Sequence, residues 1–314
     1  MTALEPAAKP AFRGIERVPF RFAVGELRLF SPSLPLAVVE FEPGVELSPT
    51  WRDELPPLGD ADGYLLRSLP STAAGLAPVF NQAGWFTRTL REYPRHLVDL
   101  TTGYDGYMAK FSAKTRSTLK RKLRKFQELS AGTIRWDEFR TEDEVARFLP
   151  LARALSARTY QERLLDAGLP NSAAFTAKAL SLAASDAVRA YILYLGDTPV
   201  SYLYLPVERG RVIYAYLGYD PAQAPHSPGT VLQLLAMERL FAEPGLKVFD
   251  FTEGAGQHKE LFATHAVQCV DLVVLRDRSG ARALARAHGA FSNAEARLVG
   301  LLDRLGLKPQ IKRI

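Results

Sequence analysis

The stretch Arg211–Phe251 leaves a chain few ways to fold. Arg211–Tyr219 is dense in β-branched and aromatic residues, as a buried strand requires. Asp220–Pro228 then places prolines at 221, 225 and 228, which ends the strand. Ser227 is set as an N-cap and Pro228 as the first helical residue. Behind them Val231, Leu234, Leu235, Glu238 and Phe241 recur at helical spacing, with apolar residues dominating that face. Pro244–Gly245 stops the helix, and Leu246–Phe251 reads as a second strand. Strand, helix and strand in that order imply a parallel βαβ crossover. Such a unit brings a helix N-terminus, with its unpaired N–H groups, beside the strand ends, a geometry that accepts phosphate.

The rest of the chain reads as mixed α/β. Its 314 residues, 47% of them hydrophobic, suffice for two lobes with a sizeable core. Residues 1–11 form a tail. An N-terminal lobe, 12–101, holds strands at Phe20–Val24, Leu36–Phe41, Tyr64–Leu69 and His96–Leu100, a loop at Pro43–Asp62 and a short helix within Ser71–Gly84. A central domain, 102–278, opens with a helix over Tyr104–Leu129. Ser112, Thr115, Leu119, Leu123 and Phe126 line one face of it, and Lys114, Lys120, Arg121, Arg124 and Lys125 the other. A strand follows at Gly132–Phe139. The capping box Thr141-x-x-Glu144 starts a helix reaching Leu165, and Asn171 caps another over Ser172–Ser185. Strands Val188–Leu195 and Pro199–Pro206 flank the hairpin turn Gly196–Thr198. Val267–Leu275 is a further strand. Residues 279–314 carry an Ala/Arg/Leu-rich helix over Arg282–Leu305, which packs on the domain or lies on an anionic membrane surface.

Composition narrows the function classes. A single cysteine, Cys269, excludes an internal disulfide and any metal site built on a Cys pair, and its apolar surroundings mark it as a buried thiol. His226 and His265 lack partners at metal-ligand spacing, so no metal is expected. No run is long and apolar enough for a membrane span, and the first residues lack a secretory core, which points to the cytoplasm. The formal charge of +6 and pI near 9.4 favour an anionic partner. That charge concentrates on the Tyr104–Leu129 helix, where no acidic residue occurs between Met108 and Gln127. Such crowding costs helix stability. Lys114, Arg116, Lys120, Arg121 and Arg124 are therefore candidates for binding an acceptor or polyanion, against the alternative of a merely solvated face.

Tyr216–Pro221 (YLGYDP), Ser227–Thr230 (SPGT), Phe249–Phe251 (FDF) and Lys259–Phe262 (KELF), in that order, resemble the GNAT acyltransferase superfamily. More narrowly, they are similar to its Fem-like, CelD-type branch, found among bacterial exopolysaccharide and cellulose-biosynthesis genes. Phe111–Lys125 is similar to the same branch, and the likeness spans roughly Leu100–Thr264. The resemblance implies a GNAT-like acyl-CoA N-acyltransferase fold, with the N-terminal lobe a degenerate repeat of the second. It implies transfer of an acyl group, acetyl first, from acyl-CoA to an amine or hydroxyl of a small-molecule or polysaccharide-precursor acceptor by direct attack.

Each part of such a site has a candidate. Tyr216, Leu217 and Gly218, with Tyr219, form the strand that splays from its neighbour and offers N–H groups to pantetheine. Ser227, Gly229, Thr230 and Val231 form the pyrophosphate cradle. The family's loop carries more glycine than this one, and Pro228 has no donor. Glu253 is the expected base, with Asp250 as its structural partner, both at a strand end where open α/β sheets place ligands. Lys259 matches the lysine of the Fem-like Lys-x-x-Phe motif and would stabilise an oxyanion or a phosphate. Tyr219, or else His258, would supply a proton to the leaving thiolate. Two other functions remain open. One is a Fem-like transferase fed by aminoacyl-tRNA, against which stands the missing coiled-coil arm. The other is a non-catalytic nucleic-acid-binding or scaffold protein on the same fold.

Overall fold

The computed structural model describes residues 10–24, 27–74, 84–158, 168–254, 256–277 and 279–304. In chain order the elements are β1 (Ala11–Pro19), β2 (Phe22–Val24), β3 (Leu27–Phe30), β4 (Ser33–Glu40), β5 (Gly63–Pro70), α1 (Ser71–Ala74), β6 (Trp85–Asp99), α2 (Tyr104–Ala109), α3 (Ala113–Leu129), β7 (Trp136–Phe139) and α4 (Glu142–Ser156). They continue with α5 (Ala173–Ala184), β8 (Val188–Leu195), β9 (Thr198–Glu208), β10 (Arg211–Ile213), β11 (Tyr216–Tyr219), α6 (Pro228–Phe241), β12 (Val248–Glu253), α7 (Gln257–Phe262), β13 (His265–Arg276) and α8 (Ser279–Arg304). Two compact units emerge, one from described residues within 1–94 and 267–314, the other from Arg95–Ala266.

In the first unit β1 pairs antiparallel with β4, β4 parallel with β5, and β5 antiparallel with β13. Leu36 and Val38 pack with Leu65, Val273 and Ala285 of α8. Ala37 and Val39 face the opposite cluster with Trp51, Leu58 and Val274. A strand buried on both faces has no polar side to alternate with, hence the unbroken apolar run Leu36–Val39. Strand β13, read from the sequence as part of the central domain, instead completes this sheet.

The second unit is a mixed sheet in the order β6 (from Arg95), β12, β10, β9, β8, β7, with β11 attached to β9 alone among the described residues. Strand β10 runs parallel to β12, and α6 links them, as the βαβ pattern requires. Helix α6 is buried at Val231, Leu232, Gln233, Leu234, Ala236, Met237 and Leu240, nearly all round rather than on one stripe. It lies on β8 and β9 with α2 and α3 against its other sides. A second cluster fills the opposite side with Phe148, Leu149, Ala152, Ala179, Ile192 and Tyr204.

Several sequence expectations need correction. Strand β1 was missed, because Gly14 and its charged neighbours mask any alternation. The Tyr104–Leu129 helix is two helices. Residues Lys110–Ser112 break it, and the Ser112 hydroxyl accepts the Thr115 N–H at 3.2 Å to start α3 anew. The cap of α5 is Ser172, not Asn171. Thr141 and Glu144 do form a reciprocal capping box on α4. The expected extension of that helix to Leu165, most of the 1–11 tail and Leu305 lie outside the described residues.

Gly63 shows how tightly β5 and β13 approach. A Cβ there would sit 2.1 Å from the Val274 carbonyl oxygen, a backbone atom that cannot step aside. Gly63→Ala is expected to cost about 2–3 kcal/mol, read as a lowered urea midpoint with an unchanged m-value.

Candidate active site

The site grows from one break in pairing. Arg211, Val212 and Ile213 of β10 lie in register with Val248, Phe249 and Asp250 of β12. The Tyr214 N–H still reaches the Asp250 carbonyl at 2.9 Å. Beyond it, Tyr216–Tyr219 pair with Tyr204–Ser201 of β9, and no described strand takes the other side. In an antiparallel pair alternate residues turn both N–H and C=O away from the partner. One edge of β11 is therefore open where the chain leaves β12.

Helix α6 starts beside that edge. Ser227 stands before it at φ +54° but makes no side-chain cap bond, contrary to its expected role. Its N–H donates to the Ala224 carbonyl at 3.0 Å, and its own carbonyl accepts the first intrahelical bond, from Val231 at 3.1 Å. Val231 is thereby removed from the expected cradle, with its N–H taken and its side chain fully buried. Gly229 and Thr230 retain first-turn N–H groups that have no intrahelical acceptor. A Cβ on Gly229 would approach Tyr219 Cδ1 to 3.2 Å and Leu217 Cδ2 to 3.3 Å, so the glycine lets the helix start pack directly on β11. Gly218 plays the matching role for the Tyr202 ring. Tyr219 is 40% exposed beside this corner.

Asp250 is not placed for acid–base chemistry. It is fully buried and bonded on both oxygens: Arg95 Nε donates at 3.0 Å, Arg211 Nη1 at 3.1 Å and the Thr252 N–H at 2.8 Å. Rather than partnering Glu253, it holds Thr252 at φ +63° and fixes the register shift between Asp250 and Glu253. Such a bulge re-aims the residue that follows, and Glu253 is exposed at the strand end. Lys259 Nζ donates to the Glu253 carbonyl at 2.6 Å. Burial pulls the pKa of Lys259 below its ordinary value, with Asp250 and Glu253 opposing. Arg95 and Arg211 escaped the sequence reading. Arg211, leading the otherwise apolar β10, was the available signal, whereas Arg95 shares β6 with Arg88 and Arg91 and does not stand out.

A buried polar pair lies next to the break. His258 Nε2 is hydrogen-bonded to Gln233 Oε1. Its ring stands 6.2 Å from that of Tyr214, 6.0 Å from Phe251 and 4.9 Å from Phe262. Burial, helped by the Lys122 and Lys259 charges, lowers the His258 pKa to about 4. Gln233 is fully buried, and its Nε2 has no partner among the described residues.

Helix α3 packs against α6 and against the turn Pro221–His226. Lys114, Lys120, Arg121, Arg124 and Lys125 are exposed on it. Ala113, Arg116, Ser117, Lys120, Arg121 and Arg124 line a shallow depression. Arg116 is partly committed, since its Nη1 donates to the Ala109 carbonyl at 3.1 Å and to that of Phe111. Arg124 meets Glu128 at 3.8 Å. Among the described residues no group of three or more His, Cys, Asp or Glu could hold a metal ion, and no helix is long and apolar enough to cross a membrane.

This architecture, a parallel crossover with a strand that splits from its neighbour, is a mixed α/β fold of the GNAT type. Residues 113–260 match the family described as an acetyltransferase (GNAT) domain. Solved structures share the fold at low identity. One, titled FemX, has a TM-score of 0.53 and 10% identity over 84% of this chain and 88% of that one. L-PGS from Bacillus licheniformis gives 0.51 and 14% over 89% and 88%. The C-terminal domain (DUF2156) of a putative lysylphosphatidylglycerol synthetase from Agrobacterium fabrum gives 0.52 and 12% over 81% of each chain. No curated protein matches the sequence significantly.

Two outcomes follow from this geometry. Asp250→Asn removes the fully buried carboxylate that Arg95 and Arg211 share and is expected to cost about 3–5 kcal/mol in urea unfolding, whereas Glu253→Gln costs little. The folded pKa of His258, about 4, lies below its ordinary 6.5. Its contribution is whole above about pH 6.5 and is lost as the pH falls toward 4, where the unfolded chain binds the proton first. His258→Asn should flatten that part of the stability–pH curve, measured as urea midpoints across the range.

Proposed function

We propose that this chain is an acyltransferase that carries an acyl group, acetyl first, from acyl-CoA to an amine, or a hydroxyl, of a small-molecule or polysaccharide-precursor acceptor. The observation that carries the reading is the open edge of β11 with the start of α6 packed on it. Pantetheine amides suit an unpaired strand edge, as any extended guest does. The Gly229 and Thr230 N–H groups, at the positive end of α6, suit the pyrophosphate. Only two donors are supplied there, so the cations of α3, which packs beside α6, carry the rest of the phosphate charge. The acceptor nitrogen attacks the thioester carbonyl carbon; the C–N bond forms as the C–S bond breaks, and the thiolate leaves with the bonding pair. Glu253 draws in the cationic amine and takes its first proton. Lys259, held close by the Glu253 carbonyl, supports negative charge on the carbonyl oxygen. Tyr219, or else His258, gives the proton to the thiolate.

A second reading keeps the chemistry and changes the carrier, with the acyl donor an aminoacyl-tRNA. The exposed cationic face of α3 favours it, because among the described residues Lys114, Lys120, Arg121 and Lys125 form no ion pair. Arginine and lysine in such an array follow a phosphate backbone.

Calorimetric titration with CoA, acetyl-CoA and longer acyl-CoAs separates the two. Saturable, salt-sensitive binding is expected, weakened about tenfold, or about 1.4 kcal/mol, by the Lys120→Glu/Arg121→Glu double variant. Gly229→Ala should weaken it too. Failure of every acyl-CoA to bind, together with capture of aminoacyl-tRNA, would transfer the donor role to RNA.

A further inference from the structure

We propose that His258, fixed in one tautomer by Gln233, is the proton shuttle of the transfer step, taking a proton from the attacking nitrogen and returning it to the departing thiolate. The role rests on the acyltransferase reading above.

The argument starts from a polar pair that stability alone does not explain. Gln233 lies within α6, at 0% exposure, and its amide nitrogen has no partner among the described residues. An unsatisfied buried amide is a standing cost that an apolar residue of similar size would avoid. Its one visible use is its Oε1, which faces His258 Nε2. A carbonyl oxygen only accepts, so His258 carries its proton on Nε2 and presents a lone pair on Nδ1. Among the described residues that second nitrogen has no hydrogen-bond partner, and the residue is only partly buried. The ring sits against Tyr214, the residue at which the chain parts from β12.

The chemistry needs such a group. An amine acceptor arrives as an ammonium and must lose two protons to become an amide. The first leaves to Glu253 and solvent. The second is lost as the C–N bond forms, inside the site and away from bulk water. His258 takes it on Nδ1 and gives it to the sulfur, so the thiol departs neutral and the imidazole ends as it began. The groups facing the ring favour a brief stay of that proton: Lys122 of α3 and Lys259 of α7 are cations, and Tyr214, Phe251 and Phe262 strip water from it. This arrangement selects His258 over Tyr219, which is exposed at the corner of α6.

The test combines histidine-selective ¹⁵N NMR, acetyl-CoA calorimetry and thiol release from acetyl-CoA in the presence of glucosamine. The Nε2–H tautomer is expected at neutral pH, with the Nδ1 signal moving when acetyl-CoA is added. His258→Asn should keep acetyl-CoA affinity and lose about a hundredfold or more in thiol release. Gln233→Leu should keep or raise the melting temperature while mixing the tautomers. Gln233→Glu places a carboxylate on Nε2–H and raises the His258 pKa, so the acid limb of kcat/KM, and the imidazole titration itself, move to higher pH. Acetyl-CoA that binds without moving the His258 signals, or unaltered thiol release by His258→Asn, overturns the shuttle and leaves the acyltransferase reading standing. A parent protein that binds no acyl-CoA overturns both.

Discussion

The Asp250 carboxylate, shared by two guanidinium groups and a backbone N–H, is the interaction on which the second unit's geometry turns. Arg95 belongs to β6, Arg211 to β10 and Asp250 to β12. One carboxylate thus ties three adjacent strands at the level where β10 ends and its continuation departs. Removing those charges from water is expensive, and an apolar trio of the same volume would be at least as stable. What apolar residues would not supply is direction. Asp250 also accepts the Thr252 N–H and so sets the kink that turns Glu253 outward. The ion pairs below and the open strand edge above are parts of one construction.

The fold and the site were legible to different depths. The parallel crossover could be read because its signals are local. Prolines stop β11, Pro228 starts α6, and Pro244–Gly245 ends it. The break between β10 and β11 could not be read from residue type, since Tyr214 and Ala215 suit a strand as well as their neighbours do. Only the residue across the sheet decides whether the strand continues. Asp250, expected as a structural partner of Glu253, could not be given its own partners for the same reason. A carboxylate at a strand end is a reactive group or an anchor depending on what surrounds it, and Arg95 lies far away in sequence. The α2–α3 break was visible in retrospect, because Ser112 and Thr115 form a capping pair that the continuous periodicity overrode.

In the proposed reaction helix α3 and helix α6 divide one task between them. Helix α6 is buried nearly all round and contributes its dipole and two backbone donors. Helix α3 is buried along Leu119 and Phe126 and keeps its cations in water. Fixed backbone donors give position, and mobile lysines and arginines give charge without the cost of burying it. That division fits a ligand with one part held closely and another carrying several negative charges.

The first unit is interrupted by the second along the chain. Gly63 of β5 waits for Leu275 of β13, and all of Arg95–Ala266 is synthesised between them. A ribosome therefore releases the segment 95–266 with every strand partner of its own already made, while β5 still has a bare edge. Contacts of such sequence separation form slowly. The hydrophobic Leu65–Leu66 pair stays exposed during that interval, when unpaired edges invite aggregation. The chain completes its first unit last, after every residue of the second has been made.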